Sequence, residues 1–406
     1  MVGRPGWERR QILALAMVGA TAFWAVGCDN KKNPDPAPDP AGGATTATGT
    51  QEPWKVGAFL SLTGAETQFG TETKEGIELA VDEVNQNGGA KGRQIKVIYE
   101  DDKSTPQDTN NKVLQLITRD KVVALLGEVT SSRSMVGGLI ANKHKIPMVS
   151  PSATAPEVTQ IGPFIFRVCF TDDMQGQMGA EFVMKTLNKK KIAILFASDD
   201  VYSSGLAQQF REAAKKLGGD IAIEKSFLKT ETNFTTYINE IRDSKAEIVY
   251  APIFYNAMVP IARQAKAAGM PGNMFVGGDG WDADTLLKDA GDELDGAYFT
   301  NHYAPDVPWP NAQSFLKAYT GRFNGRIPTS LAAMGYDSAK LLFDAIGRTK
   351  TDTPEGIRDA IAETKGFAGA TGTITIDPNR NADKSIVIVQ IKGKKFTYYS
   401  TVNDKH

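Results

Sequence analysis

Residues 122–154 read VVALLGEVTSSRSMVGGLIANKHKIPMVSPSAT, and this stretch decides the fold. Val122–Leu126 is a short continuous apolar run, typical of a parallel strand buried on both faces. Serine and threonine then precede a run from Ser134 to Lys143 that we expect to be helical. Pro147–Val149 gives the next strand, and hydroxyl side chains crowd its exit. The stretch therefore predicts two neighbouring parallel strands joined by a helix, with hydroxyl groups at both strand exits.

The edge formed by these two strand exits suits an anion. Free backbone N–H groups and the helix dipole favour negative charge at a helix N-terminus, and ligands of open α/β sheets lie outside the carboxyl ends of strands. Ser131 lies at the helix start, and Ser152 and Thr154 follow the second strand. Their hydroxyls can give charge-assisted hydrogen bonds to an anion. The alternative is that they only cap their own turns.

Strands and helices alternate along the rest of the chain from Trp54 onward. Lys55–Leu60 is predicted as a strand and 70–85 as a helix, and the same alternation continues to a final pair of strands joined by Gly393, a hairpin signal. This spacing predicts an α/β protein with parallel sheets and helices on both faces. A length of 406 residues allows two domains, each with its own core.

Composition excludes several classes of function. The formal net charge of -1 suggests no nucleic-acid partner. Three histidines and two cysteines are too few for a His/Cys metal site or a disulfide scaffold, so we expect no metal and no cofactor. The chain has no nucleophile elbow, zinc-protease motif or phosphate-binding loop. We therefore predict that it is not an enzyme.

The N-terminus has the pattern of a targeting segment. Basic residues precede an apolar run, Ile12–Gly27, that ends at Cys28. Small residues before a cysteine resemble a bacterial lipobox, so residues 1–28 are predicted as a lipoprotein signal peptide with Cys28 lipidated. Residues 29–53, rich in Pro, Ala, Gly and Thr, are predicted as a flexible tether. The alternative is an uncleaved anchor helix, and Arg9-Arg10 leaves both the general and the twin-arginine export routes open.

Several motifs together resemble one known family. They are Phe59–Gly64, Gly76–Ala80, Gly127–Ser132 and Ile146–Thr154, and the resemblance runs from about Trp54 to Val402. The chain resembles the branched-chain amino acid binding proteins, which are type I periplasmic solute receptors of ATP-driven importers. The resemblance implies two doubly wound parallel-sheet lobes joined by three crossover segments. It assigns 54–172 and 303–377 to lobe one, and 173–302 and 378–406 to lobe two.

The resemblance also implies roles for site residues. Ser131 and Thr154 match the residues that hold the ligand α-carboxylate, and Ser152 and Thr154 also match positions that meet its ammonium. Asp279 matches the ammonium-binding acid, which is commonly Glu in the family; the alternative is a surface Asp in a turn. The aromatic side chains of the ligand pocket would be Phe69, Tyr202, Phe254, Tyr255 and Trp281. Each of these is equally a candidate for the core, and Trp281 is bulky enough to narrow the site.

The function implied by the resemblance is capture of leucine, isoleucine or valine for ABC permease subunits in the inner membrane. The protein would be a periplasmic monomer, lipid-anchored to the cytoplasmic membrane. The alternatives are the same fold serving a polar or aromatic amino acid, an amide, an aromatic acid or a sugar, for uptake or for sensing. A cysteine pair of the best-known members matches Ser104 and Thr130, so that disulfide is absent. Cys169 is expected to be a small buried hydrophobic residue.

Overall fold

The computed structural model describes residues 51–402 of the chain. The predicted signal peptide, the lipidation site Cys28, the tether up to residue 50 and the last four residues lie outside the described residues, so the statements about them stay predictions. Between residues 51 and 402, no helix is long and apolar enough to cross a membrane.

Strands and helices alternate through the described residues. In chain order, the strands are β1 (Trp54–Leu60), β2 (Ile95–Asp101), β3 (Ala124–Leu126), β4 (Met148–Ser150), β5 (Ile165–Arg167), β6 (Lys191–Ala197), β7 (Asp220–Phe227), β8 (Ile248–Ala251), β9 (Phe275–Gly277), β10 (Tyr298–Asn301), β11 (Phe367–Gly369), β12 (Gly372–Ile376), β13 (Ala382–Asp383), β14 (Ile386–Ile391) and β15 (Phe396–Val402). The α-helices are α1 (Thr67–Gln86), α2 (Pro106–Thr118), α3 (Ser131–Lys143), α4 (Glu157–Gln160), α5 (Asp172–Glu181), α6 (Val201–Lys216), α7 (Thr235–Asp243), α8 (Tyr255–Ala267), α9 (Asp284–Ala290), α10 (Pro310–Arg322), α11 (Ser330–Arg348) and α12 (Pro354–Ala362).

The first sheet has five parallel strands in the order β2-β1-β3-β4-β5. Strands β3 and β4 are buried along their whole length, which is why their sequences are almost continuously apolar. The strand order reverses at β1, which lies between β2 and β3. The carboxyl ends of β1 and β3 therefore border the crevice where such sheets bind ligands.

Helix α3 begins at Ser131, three residues before the predicted start at Ser134. Thr130 is the N-cap residue, with an extended backbone and no side-chain cap bond. Its hydroxyl instead donates to the Glu128 carboxylate at 2.7 Å. The earlier start places Ser131 in the first turn of the helix, beside the backbone N–H groups that lack partners within the helix.

The second sheet has seven strands in the order β15-β14-β10-β9-β8-β6-β7. Strands β6 to β10 pair in parallel, whereas β14 is antiparallel to both β10 and β15. The turn between β14 and β15 contains Gly393 at φ 56°, as the hairpin prediction requires. The predicted α/β architecture of parallel sheets with intervening helices is confirmed.

Helix α11 connects the late part of the chain to the first sheet, because it packs against α1. Glycines allow this close approach: a Cβ on Gly76 would lie 1.9 Å from the Ala332 carbonyl oxygen, and one on Gly335 would lie 2.3 Å from the Thr73 carbonyl oxygen. No other residue fits at either position without separating the two helices.

Some elements differ from the sequence-based prediction. Helix α5 begins at Asp172, four residues before the predicted start at Gly176, and continues into a π-helical turn over Phe182–Thr186. Helix α4 and the short strands β11 and β13 were not predicted, whereas β12 matches the strand predicted over Thr373–Ile376. The three elements that were missed are only two to four residues long, so they are too short to show a helical or strand periodicity. The lobe boundaries stay a prediction.

Candidate functional site

A small cavity lies where loops from both sheets meet, and about 280 Å³ of space free of protein atoms, part of it open solvent, is found there. Most of the sequence-predicted ligand residues line it. Its lining consists of Phe69, Val129, Thr130, Ser131, Ser152, Thr154, Tyr202, Phe254, Asp279, Gly280 and Leu331. Among the predicted ligand residues, Tyr255 and Trp281 are absent from the lining, whereas Val129, Thr130, Gly280 and Leu331 are additions from the structure.

One wall of the cavity is the polar edge at the exits of β3 and β4. The Ser131 side chain is buried, and its Oγ accepts a hydrogen bond from the Ala155 backbone N–H at 3.1 Å. Ser152 donates from Oγ to the Val129 carbonyl at 3.4 Å, and Thr154 is buried beside them. With the N-terminus of α3 at the same point, this wall offers hydroxyls and helix N–H groups to an anion.

The opposite wall carries a carboxylate from the second sheet. Asp279 follows β9 in a short 3₁₀ turn and is 9% exposed. Its Oδ1 accepts from Gln175 Nε2 at 3.0 Å, and its Oδ2 lies 3.3 Å from His302 Nε2. A negative charge therefore faces the anion-binding wall across the cavity.

Aromatic and aliphatic side chains fill the remaining walls. Tyr202 and Phe254 are stacked, with ring centroids 5.1 Å apart, and Phe254 meets Phe69 edge-on at 5.6 Å. The Tyr202 hydroxyl accepts from the Gly280 N–H at 3.1 Å, and burial raises the pKa of this phenol well above its usual value. Val129 and Leu331 complete an apolar surface for a small side chain.

The structure places Tyr255 and Trp281 away from the cavity. The Trp281 ring is fully buried over Gly277, and its Nε1 donates to the Ala251 carbonyl at 3.1 Å. An indole N–H needs a partner when buried, and the bare Gly277 leaves room for the ring inside the core. Tyr255 packs on Phe69 and donates from its hydroxyl to the Ala65 carbonyl at 3.2 Å.

Sequence reasoning missed three buried polar residues beside the cavity, namely Gln175, His302 and Asp172. Gln175 and His302 contact Asp279 directly. The carboxyl of Asp172 is fully buried; burial raises its pKa well above the usual range, and the charge of Asp279 adds to the shift. Only His302 carried a signal, as one of two histidines between residues 54 and 402.

Contacts between the two halves of the structure border the cavity. Ser330 N, at the start of α11, donates to Asp282 Oδ2 at 2.7 Å. Thr285 N donates to the side-chain oxygen of Gln68 at 3.0 Å. These bonds join the segment after β9 to helices that pack on the first sheet, so the cavity lies between two groups of elements that are linked by hydrogen bonds from backbone N–H groups to side chains.

The cysteine positions carry no disulfide in the described part of the chain. Cys169 is a free, buried thiol whose pKa is raised by burial to about 12. Ser104 donates from its hydroxyl to the Thr63 carbonyl at 2.9 Å, while Thr130 is bonded to Glu128. Hydroxyl side chains at these two positions thus make separate hydrogen bonds.

Several known proteins are similar to this chain in sequence and in structure. An amino acid binding protein of Pseudomonas aeruginosa is 30% identical over 237 residues, a match that covers 58% of this chain and 63% of that relative. The leucine binding protein LivK of Thermotoga maritima is 32% identical, with a TM-score of 0.81 over 86% of this chain and 98% of LivK. The substrate binding protein LivJ of Streptococcus pneumoniae, solved in complex with isoleucine, is 30% identical, with a TM-score of 0.81 over 86% and 99% of the two chains.

A family model for periplasmic binding proteins matches residues 53–395. That span includes the first sheet, the second sheet up to its edge strand β15, and every residue that lines the cavity. The chain therefore belongs to the periplasmic binding protein family.

Proposed function

We propose that this protein is the extracytoplasmic receptor of an ABC importer and that it binds leucine, isoleucine or valine in the cavity. One observation carries the proposal: an anion-binding edge and a carboxylate face each other across one small apolar space. Such an arrangement fits the two charges of an amino acid backbone. The names of the relatives LivK and LivJ, and the isoleucine bound to LivJ, support the same ligand class.

In this proposal the ligand carboxylate binds the first-sheet wall. Ser131 and Thr154 donate hydrogen bonds from their hydroxyls, and the N-terminus of α3 adds N–H groups and the helix dipole. The Ser152 carbonyl and Asp279 receive the ligand ammonium. The ligand is then a neutral zwitterion whose two charges each meet an opposite partial or full charge.

The apolar walls set the size of the ligand side chain. Phe69, Tyr202, Phe254, Val129 and Leu331 leave little unfilled space, and none of them offers a charge. An aliphatic side chain of three or four carbons suits such a wall, because it buries apolar area and needs no hydrogen bond.

Binding between two lobes implies a hinge. We assign 54–172 and 303–377 to lobe one and 173–302 and 378–406 to lobe two, with crossings near Phe170, His302 and Asp377. The open form would bind the ligand on lobe one, and closure would bring Asp279 and Tyr202 over it. The bonds Ser330–Asp282 and Thr285–Gln68 support this closure, since they link the two lobes beside the cavity.

The surroundings of the receptor follow from the same proposal. The closed form would dock as a monomer on ABC permease subunits, and a lipid on Cys28 would hold it at the cytoplasmic membrane. The family binds solutes outside the cytoplasm, and we expect no catalysis from this chain.

The test is a ligand panel on purified protein that has been unfolded and refolded to remove bound solute. Each of the twenty amino acids is added, and thermal unfolding is followed. Ligand at about a hundred times its dissociation constant stabilises by about 2.7 kcal/mol, which is a shift of a few degrees at this size. Shifts confined to leucine, isoleucine and valine support the proposal. If other amino acids raise the unfolding temperature instead, the ligand is one of those amino acids. If none of the twenty raises it, the proposal of an amino acid receptor is rejected.

A further inference from the structure

Two side chains that do not line the cavity contact the carboxylate of Asp279. Gln175, on α5, donates from Nε2 to Oδ1 at 3.0 Å. His302, directly after β10, lies with Nε2 3.3 Å from Oδ2. Both residues are fully buried. Each carboxylate oxygen therefore has one partner on the side away from the ligand.

The hydrogen bonds fix the orientation of the Gln175 amide. Its Oε1 accepts from the Asp279 backbone N–H at 3.2 Å and from the Thr300 hydroxyl at 2.8 Å. Two donors at the oxygen leave the nitrogen facing the carboxylate. Gln175 thus forms hydrogen bonds with both the backbone N–H and the carboxylate of Asp279, which fixes the direction in which the carboxylate points.

The surroundings of His302 fix its tautomer and its charge. An ionised carboxylate only accepts hydrogen bonds, so Nε2 must carry the proton. The ring is stacked on Phe170 with centroids 3.8 Å apart, and Nδ1 has no hydrogen-bond partner among the described residues. A second proton on Nδ1 would be a buried donor without an acceptor, which is costly. Burial accordingly lowers the pKa of His302 to about 4, and the charge of Lys384 contributes.

We propose that His302 and Gln175 are positioning residues, two neutral donors that aim Asp279 at the cavity and leave its full negative charge for a ligand ammonium. This inference rests on the proposed function, because it assigns the ammonium of the ligand to Asp279. A lysine or arginine in either place would hold the carboxylate equally well but would cancel its charge at close range. Neutral donors avoid that loss.

The first experiment measures L-leucine binding to the full-length protein by calorimetry at pH 7.5. His302→Leu removes the donor and is expected to weaken binding about tenfold to a hundredfold. His302→Gln restores an N–H at the same reach and is expected to bind within about threefold of wild type. His144→Leu, at an exposed position, is the matched control and leaves binding unchanged. Wild-type affinity in His302→Leu, or equal loss in both His302 variants, overturns the inference.

The second experiment needs no ligand, so it separates failure of this inference from failure of the proposed function. Nitrogen-15 NMR of the histidine rings, assigned with His302→Gln, should show His302 as the neutral Nε2–H tautomer down to about pH 5. Asp279→Ala should shift the Nε2–H proton signal, while the signal of His144 stays in place. An Nδ1–H tautomer, or an Nε2–H signal indifferent to Asp279→Ala, contradicts the positioning role. If the NMR signature is present and no amino acid binds wild type, the proposed function fails and the ammonium assignment fails with it, while the positioning of Asp279 by His302 stands.

Discussion

Replacing Glu72 by glutamine is expected to stabilise the protein relative to wild type as the pH rises. Glu72 is 9% exposed on α1, its Oε1 accepts from Gln68 Nε2 at 2.8 Å, and its Oε2 is hydrogen-bonded to the Thr329 hydroxyl. Burial raises the pKa of this carboxyl from 4.5 to about 8, because the hydrogen bonds from Thr329 and Gln68 do not offset the desolvation. The carboxyl is therefore neutral in the native state near pH 7.

The size of the effect follows from that shift. A carboxyl with a higher pKa in the folded state contributes stability that is complete below its unfolded pKa and is lost as the pH rises through the folded value. With values of 4.5 and about 8, the free energy of unfolding loses about 2 kcal/mol between pH 6 and pH 8 from this group alone. A glutamine side chain does not titrate in this pH range, and its amide can still accept a hydrogen bond from Gln68 and donate one to Thr329.

The assay is urea unfolding of wild type and Glu72→Gln at pH 6, 7, 8 and 9, compared as the difference in free energy of unfolding at each pH. Contributions from other titrating groups largely cancel in that difference. Glu78→Gln is the control on the same helix, where the carboxylate is partly exposed beside Lys74, and its difference from wild type should stay constant. A constant difference for Glu72→Gln as well would mean that Glu72 is ionised in the native protein and would refute the reasoning.

Three further predictions concern the site, the helix contact and the buried thiol. Ser131→Ala should weaken leucine binding about tenfold to a hundredfold, measured by calorimetry, whereas Ser132→Ala, outside the lining, should change it little. Gly335→Ala places a Cβ 2.3 Å from the Thr73 carbonyl oxygen and should lower the free energy of unfolding, measured with urea, by about 2 kcal/mol or more. Gly347→Ala on the same helix has open space around it and should raise the free energy of unfolding by about 0.5–1 kcal/mol. In a protein that begins at residue 51, the Cys169 thiol, with its pKa raised to about 12, should react with a thiol reagent at pH 8 only after unfolding; rapid reaction of the native protein would contradict its burial.

The sequence allowed prediction of those parts of the site that have local signals. Ser131, Ser152 and Thr154 follow apolar strands and precede or face a helix start, and both patterns arise within a few residues of the chain. The same locality explains the prediction of the alternating strands and helices. Asp279 was predicted because it matches the ammonium-binding acid of the family that the chain resembles, and its place after the apolar strand β9, between glycines, suits that role.

The support behind Asp279 could not be predicted in this way. Gln175 reaches it across 104 residues of sequence, and nothing in helix α5 distinguishes that glutamine from its exposed neighbour Gln177. Trp281 shows the opposite failure, since it stands two residues from Asp279 in sequence but points elsewhere. A 3₁₀ turn sends successive side chains in different directions, so nearness along the chain did not mean nearness to the cavity.

The charges around the cavity favour a zwitterion over a simple carboxylic acid of the same shape. Among the residues that line it, Asp279 is the charged side chain, and the wall formed by Ser131 and Thr154 offers hydroxyls and helix N–H groups but no lysine or arginine. An anion without an ammonium would bring a second negative charge beside a buried carboxylate with nothing to balance it, which costs binding energy. A ligand ammonium removes that cost because it pairs with the oxygens that Gln175 and His302 already direct toward the cavity. The selection for amino acids over their deaminated analogues would then come from Asp279 and from the neutral donors behind it.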